Sequence, residues 1–524
     1  MNINNLSSSK NCWSKLAKQS QLCLSVVLAS SAVITSNSAA QAVQFDFSYA
    51  PGTSLEQRLA FEMAGNIWSS YLTDNMTVEI HVEMTDLLPD NVIGGALPGI
   101  KARQHISNVY NKLGADRISS DDYVAVDNMN LYHNNQRYRA VVDNYEVNYN
   151  QFINLTRANS KALGMLNGTD DDLDGYILMS NLTAESVDWS YNFSSNSVPN
   201  DTLDFLSVAM HEIGHVLGFV SGVDDPNWLY ELSEAQQKQS NKGQTGINAP
   251  QKDSDYNQLA DDETYITVLD LFRFSPESTS FANNNSDLSV GGEKFFSIDG
   301  GNTNLASFST GKDTSLGGDG YQASHWKQAN NPLGIMDPTL REEEKGTISE
   351  LDLRAFDVIG YNRQSGNVNI DLSSLFNQTK QDVANDLGIW VGHLEQVLNG
   401  ASYHWVDQAI TYANQDRTQD VINMIETSEV YEWGYNPNGD GNGNGNGNDD
   451  DDNGNGNCNP NCNSYPQVLA GILTNEGLFS QAYWSTFDFE SEPKKVPEPG
   501  VNIGLLGLGL WASNSFLKHY RKSK

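Results

Sequence analysis

Cysteine is nearly missing from this chain. Four occur in 524 residues, Cys12, Cys23, Cys458 and Cys462, all near the two ends. The long central stretch therefore has no thiol nucleophile and no thiol to act as a switch on a metal. Cys458 and Cys462 are four apart and suit a small disulfide loop in an oxidising compartment. Positive charge is also scarce: 31 Lys and Arg stand against 66 Asp and Glu, for a formal charge of −35. The two ends are each net basic, so everything between them is more acidic still. Such a surface repels nucleic acid and anionic membrane and suits a secreted, soluble protein able to hold calcium. Long apolar runs are confined to the ends. Leu22 to Ile34 follows three lysines and precedes Ala40-Gln41-Ala42, the pattern of a secretory leader over residues 1–42. Val501 to Leu517 is near the lower limit for a membrane span, and Lys518-His519-Tyr520-Arg521-Lys522 follows it.

What the sequence does contain is concentrated in residues 205–219, FLSVAMHEIGHVLGF. Leu206, Ala209, Met210, Ile213, Val216 and Leu217 recur at helical spacing and predict a largely buried helix. Asp201 and Thr202 are expected to cap its start and Gly218 its end. His211 and His215 then share one face, one turn apart, where two neutral imidazoles can hold Zn²⁺. Glu212 between them is the candidate for polarising a water on the metal. A bare HExxH arises by chance in many proteins. Burial changes the balance, because burying two His and a Glu costs several kcal/mol unless something pairs them.

The rest of the chain supplies context. Ser54–Leu72 reads as an amphipathic helix, Met76–Met84 as a strand, 91–98 as a short strand, and Ile100–Leu113 as a second helix. Asp170, Asp172 and Asp174 have the D-x-D-x-D-G spacing that opens calcium loops. A tight acidic turn leading into a strand at Tyr176–Met179 is the first reading, with calcium the alternative. Residues 220–320 are too long for one loop and read as an inserted layer, with a helix over Tyr230–Gln239. A second informative block follows. His325 lies in Ser324-His325-Trp326, Met336 lies in the turn-like Gly334-Ile335-Met336-Asp337-Pro338, and Thr347–Ile359 is a helix capped by Ser349. Residues 363–435 are mainly helical in pattern, for example over Val383–Leu398 and Trp405–Tyr412. Residues 436–463 are an Asn/Gly/Asp-rich linker, and 464–495 hold one short apolar segment. His81, His105, His133, His393 and His404 are read as ordinary core or surface residues.

His211-Glu212-Ile213-Gly214-His215-Val216-Leu217-Gly218 resembles the metzincin zinc endopeptidases. Those enzymes place a third His where this chain has Ser221. In the leishmanolysin-like members the third His comes after a long insertion, shortly before a Met-turn. His325 and Met336 resemble that arrangement, with His325 107 residues after Gly218. The likeness spans roughly 50–362 and also extends to a bacterial family of secreted metalloproteases that carry C-terminal sorting signals. It implies an α+β, zincin/metzincin-like catalytic region over 43–362 with an insertion at about 220–320, followed by the mainly helical region. It implies Zn²⁺ on His211, His215 and His325, Glu212 as general base in peptide hydrolysis, and Met336 as an apolar floor beneath the metal. The carboxylates Asp224, Asp225, Glu231 and Glu234 are the alternative source of a third ligand. Val496-Pro497-Glu498-Pro499, the apolar run and the basic end of 496–524 resemble a PEP-CTERM sorting signal. That resemblance implies an exosortase-type processing partner, transient membrane anchoring and export to the envelope of a Gram-negative-type bacterium. The rival class is a non-enzymatic envelope or matrix protein with a structural or vestigial metal site. Glu212 separates the two, since a structural site has no need of a base beside the metal.

Overall fold

A computed structural model describes residues 42–89, 91–142, 145–183, 185–223, 266–281, 284–428 and 485–489. The chain divides into Met1–Ala39, which lies outside those residues, and Ala40–Lys524. Six strands of the second unit form its principal sheet: β1 (Gln44–Tyr49), β2 (Thr77–Thr85), β3 (Val92–Pro98), β4 (Gly175–Ser180), β5 (Thr339–Leu340) and β6 (Ser485–Phe489). Their spatial order is β1-β2-β4-β3-β6-β5. β1, β2 and β4 run parallel, β3 lies antiparallel to both β4 and β6, and β6 is parallel to β5.

Three helices position the site: α1 (Leu55–Tyr71), α2 (Phe205–Leu217) and α3 (Glu350–Val358). α1 starts at a capping box in which Ser54 and Gln57 satisfy each other's main-chain N–H groups. Its buried face, including Leu59, Phe61, Ala64, Ile67 and Trp68, packs on β1 and on α2. Phe61 meets Phe205 edge-on at 5.9 Å, and Trp68 Nε1 donates to Met210 O at 3.0 Å. Every residue of α2 is buried, so this helix runs through the middle of the molecule.

β4 is covered on both faces, as its alternating side chains require. Ile177 and Met179 join the main core, while Tyr176 and Leu178 pack with Val421 and Met424 of the helix Thr418–Thr427. The helices Leu372–Asp386 and Val391–Leu398 place Val383, Ala384 and Leu394 in the main core. Arg58 of α1 donates to Asn414 at 2.7 Å, so the helical region is stitched to the sheet domain rather than standing apart.

The chain mixes helices and sheets, as an α+β reading expects at that level. Two details differ from the sequence reading. Ile100–His105 is a strand, paired with Phe152–Thr156, and the helix begins only at Ile106. The single helix expected over 383–398 is broken at 387–390. The expected helix at 230–239, the linker, the cysteines and the apolar runs at both ends lie outside the described residues. Among the described residues no helix is long and apolar enough to cross a membrane.

Candidate metal centre

α2 is fixed at both ends. Asp204, not Asp201 or Thr202, is its N-cap, accepting from Ser207 N at 3.1 Å and Ser207 Oγ at 2.6 Å. Thr202–Asp204 is drawn into a short parallel strand pair with Asp188–Ser190, which moves the helix start three residues on. Gly218 ends the helix at φ 125°, a conformation costly for any residue with a β-carbon. Tyr361 Oη then caps Leu217 O at 2.6 Å.

The helix brings His211 and His215 to a ring separation of 4.6 Å. His325 arrives from a distant loop. Its neighbour Trp326 is buried among Phe219, Phe296 and Phe308, and donates through Nε1 to Asp352 Oδ1 at 2.8 Å. Trp326 N donates to Met336 O at 3.0 Å, so the His325 and Met336 segments are one unit. Met336 lies against Gly214, between the two helical histidines in sequence; a β-carbon at Gly214 would overlap its Sδ.

Each imidazole uses Nδ1 in the same way. His211 Nδ1 lies 2.6 Å from Ile335 O, His215 Nδ1 2.7 Å from Phe219 O, and His325 Nδ1 3.2 Å from Gln322 O. A carbonyl accepts only, so the proton of each neutral ring sits on Nδ1 and each Nε2 presents a lone pair. The three Nε2 atoms converge at separations of 2.9, 3.2 and 3.3 Å. Burial favours the neutral state: it pushes His215 down to about 3, and with the neighbouring rings it pushes His211 and His325 well below the ordinary range. Three buried lone pairs at this distance repel one another unless a cation lies among them. Zn–N bonds of about 2.0–2.1 Å in a tetrahedral set put nitrogens about 3.3 Å apart, close to what the chain provides. Among the described residues this is the one group of three or more potential ligand side chains whose donor atoms gather closely enough for a single ion.

Glu212 is buried beside this group. One residue on from His211, it points about 100° around the helix, toward β3. There Gly94 makes room for it: a β-carbon at Gly94 would stand 2.6 Å from Glu212 Oε1.

The other sequence candidates go elsewhere. Ser221 donates to Asp270 Oδ1 at 2.5 Å, and Asp270 also takes the Gly222 and Thr267 N–H groups, so Ser221 serves the local turn. Asp224, Asp225, Glu231 and Glu234 lie outside the described residues. The acidic triplet is answered by side chains of this chain. Asp174 is buried and holds Lys161 Nζ at 2.5 Å, Asp170 pairs with Arg157, and exposed Asp172 lies 3.6 Å from Arg157. Two cations face these three carboxylates, and the segment runs directly into β4 as an acidic turn. His81 stacks on Tyr176, and His105 caps the helix Ile106–Asp116.

Three residues matter here that no motif marks. Asp352 accepts from Trp326 Nε1, Ile335 N, Met336 N and Ser349 N, and so ties both distant segments to α3. The Ser349-x-x-Asp352 capping pattern is its only trace in the sequence. Asp204 and Gly94 are the others. Comparison with protein-family models, with curated proteins and with solved structures gave no match.

Proposed function

We propose that this chain is an exported zinc-dependent endopeptidase of the zincin kind, with a leishmanolysin-like order of ligands. One observation carries the proposal: three imidazoles, each with Nδ1 given to a main-chain carbonyl, turn their Nε2 lone pairs toward one point, and Glu212 is buried on the helix that supplies two of them. Three neutral nitrogen donors with a position left for water form a catalytic zinc set rather than a closed structural one. When bound, the ion supplies a Lewis acid that polarises a carbonyl and lowers the pKa of water to about 7.

The chain's own part is proton handling and alignment. Glu212 takes a proton from the attacking water on its carboxylate and delivers it to the leaving amine nitrogen. The carbonyls of Ile335, Phe219 and Gln322 hold the three rings in one tautomer. Met336 and Gly214 hold the histidine face of α2 against the distant segment. The leader, the acidic surface and the sorting-like tail support export and processing at the envelope.

The test is zinc content of the purified protein beside His325→Ala, with hydrolysis of an unstructured protein substrate measured on both. About one zinc per chain, lost together with hydrolysis in His325→Ala, is the expected result. Zinc retained in the variant sinks the ligand assignment. Zinc bound stoichiometrically without hydrolysis of any peptide library, by the intact chain and by a chain from which Ser485–Phe489 has been released, sinks the enzyme and leaves a structural metal protein.

A further inference from the structure

β6 joins the principal sheet from far along the chain. It lies between β3 and β5, antiparallel to the first and parallel to the second. On one side Ser485, Thr486 and Phe487 stand opposite Ala96, Gly95 and Gly94, and Asp488 opposite Val92 after an irregularity. On the other side Asp488 and Phe489 stand opposite Thr339 and Leu340.

Three facts put this slot at the candidate centre. Gly94, the partner of Phe487, is the residue against which the Glu212 carboxylate packs. β5 begins three residues after Met336, so the far wall of the slot continues the segment that holds His211. The backbone of β6 also runs beside α2, with Cα atoms within 8 Å. An extended main chain held between β3 and β5 therefore passes directly by the proposed general base.

Recognition in such a slot is main-chain hydrogen bonding on both edges, which any extended peptide can supply. We infer that the space between β3 and β5 is a binding site for an extended peptide in antiparallel register with β3, and that Ser485–Phe489 is its resident occupant. The chain keeps its own distal segment in the path of a peptide substrate. The substrate part of this inference rests on the peptidase reading; the binding part does not. As part of the same chain the segment competes at an effective concentration of about millimolar, so free peptides enter only when the segment leaves.

The test uses the full chain carrying Glu212→Gln, to keep any peptide intact. Into it go Thr486→Pro and Phe487→Pro together. Adjacent strand residues send their N–H groups to opposite neighbours, so the pair removes one bond toward β3 and one toward β5. The probe is a fluorescein-labelled peptide with the sequence of residues 484–490, followed by anisotropy. Amide hydrogen exchange over 92–97 reports the edge of β3, and exchange in β2 and β4 reports the integrity of the sheet. The proline variant should bind the peptide at least tenfold more tightly than its parent. The amides of β3 should exchange faster in the variant and recover when peptide is added. An intact sheet with no gain in peptide binding, or with β3 exchange unchanged, overturns the inference.

A variant that loses protection in β2 and β4 has misfolded. A second route then decides the matter: a specific protease site is placed within 436–457 and cut after purification. Peptide binding gained on cutting, with the distal fragment displaced, supports the inference. A fragment that stays bound and admits no peptide makes β6 an integral strand and overturns it. With Glu212 intact, hydrolysis should rise at least tenfold when the segment is released. Peptide binding without hydrolysis in any variant would end the peptidase reading and leave the slot standing.

Discussion

His211 Nδ1 donates to Ile335 O at 2.6 Å, across 124 residues of sequence. The carbonyl belongs to the residue just before Met336, so the turn-like segment sets the tautomer of the first helical histidine. Asp352 in turn holds that segment through Ile335 N and Met336 N.

Asp352→Ala should therefore act on the metal without touching a ligand. It leaves Trp326 Nε1 and three main-chain N–H groups without their common acceptor in a fully buried place. A loss of about 3–5 kcal/mol in urea unfolding is expected. Zinc affinity, read by competition with a chromophoric chelator, should fall about 10–100-fold. Unchanged affinity would show that Asp352 serves the fold alone.

Glu212→Gln keeps the side chain's shape and removes its basicity. Zinc content should stay at the wild-type level. The kcat should fall by about 10²–10⁴-fold with little change in KM, as for loss of a positioned general base. Near-normal turnover would remove Glu212 from the chemistry.

Gly94→Ala probes the same carboxylate from the sheet side. The new methyl would stand 2.6 Å from Glu212 Oε1 and 2.8 Å from Val208 Cγ1. Turnover should drop at least about tenfold, since a displacement near 1 Å at a reacting group costs up to 10²-fold. Zinc should remain bound. A variant as active as wild type would show that Glu212 tolerates movement.

Glu83 gives a pH dependence away from the centre. It is buried on β2 and accepts from Tyr176 Oη at 2.6 Å. Burial raises its pKa from 4.5 to about 7, against the smaller lowering by Tyr176. Between those values the folded chain keeps a proton that the unfolded chain has released. This group's contribution to stability therefore falls as pH rises through that window, and the cost persists above it. Glu83→Gln should match wild type at pH 4 and gain up to about 3 kcal/mol at pH 8. Melting curves of both proteins at the two pH values check this; equal melting temperatures at pH 8 would refute it.

What could be read from the sequence was local. The apolar spacing of α2, the stop at Gly218 and the Ser349 cap depend on neighbours a turn away, and the structure has them as expected. Where a distant strand intervenes, the local reading slips. Asp201 and Thr202 look like caps, but Asp201 adopts φ 57° at the entry to a strand, and Thr202 pairs with Asp188. Ile100–His105 carries helical spacing, yet its partner Phe152–Thr156 makes it a strand. Arg157 and Lys161, which face the acidic triplet, lie outside its motif and cannot be read from it. The role of Asp352 and the place of β6 beside β3 are set by partners many residues away, and no periodicity announces them.

The two-part origin of the centre has a mechanical consequence. An ion shared by His215 and His325 would cross-link positions 110 residues apart. In chain-entropy terms a link closing a loop of about 100 residues is worth about 4–5 kcal/mol, the scale of a long-range disulfide. The central chain has no cysteine with which to make such a tie. The ion would be its staple, so stripping it with a chelator should loosen the hold of the 284–340 segment on α2 as well as abolish the proposed hydrolysis.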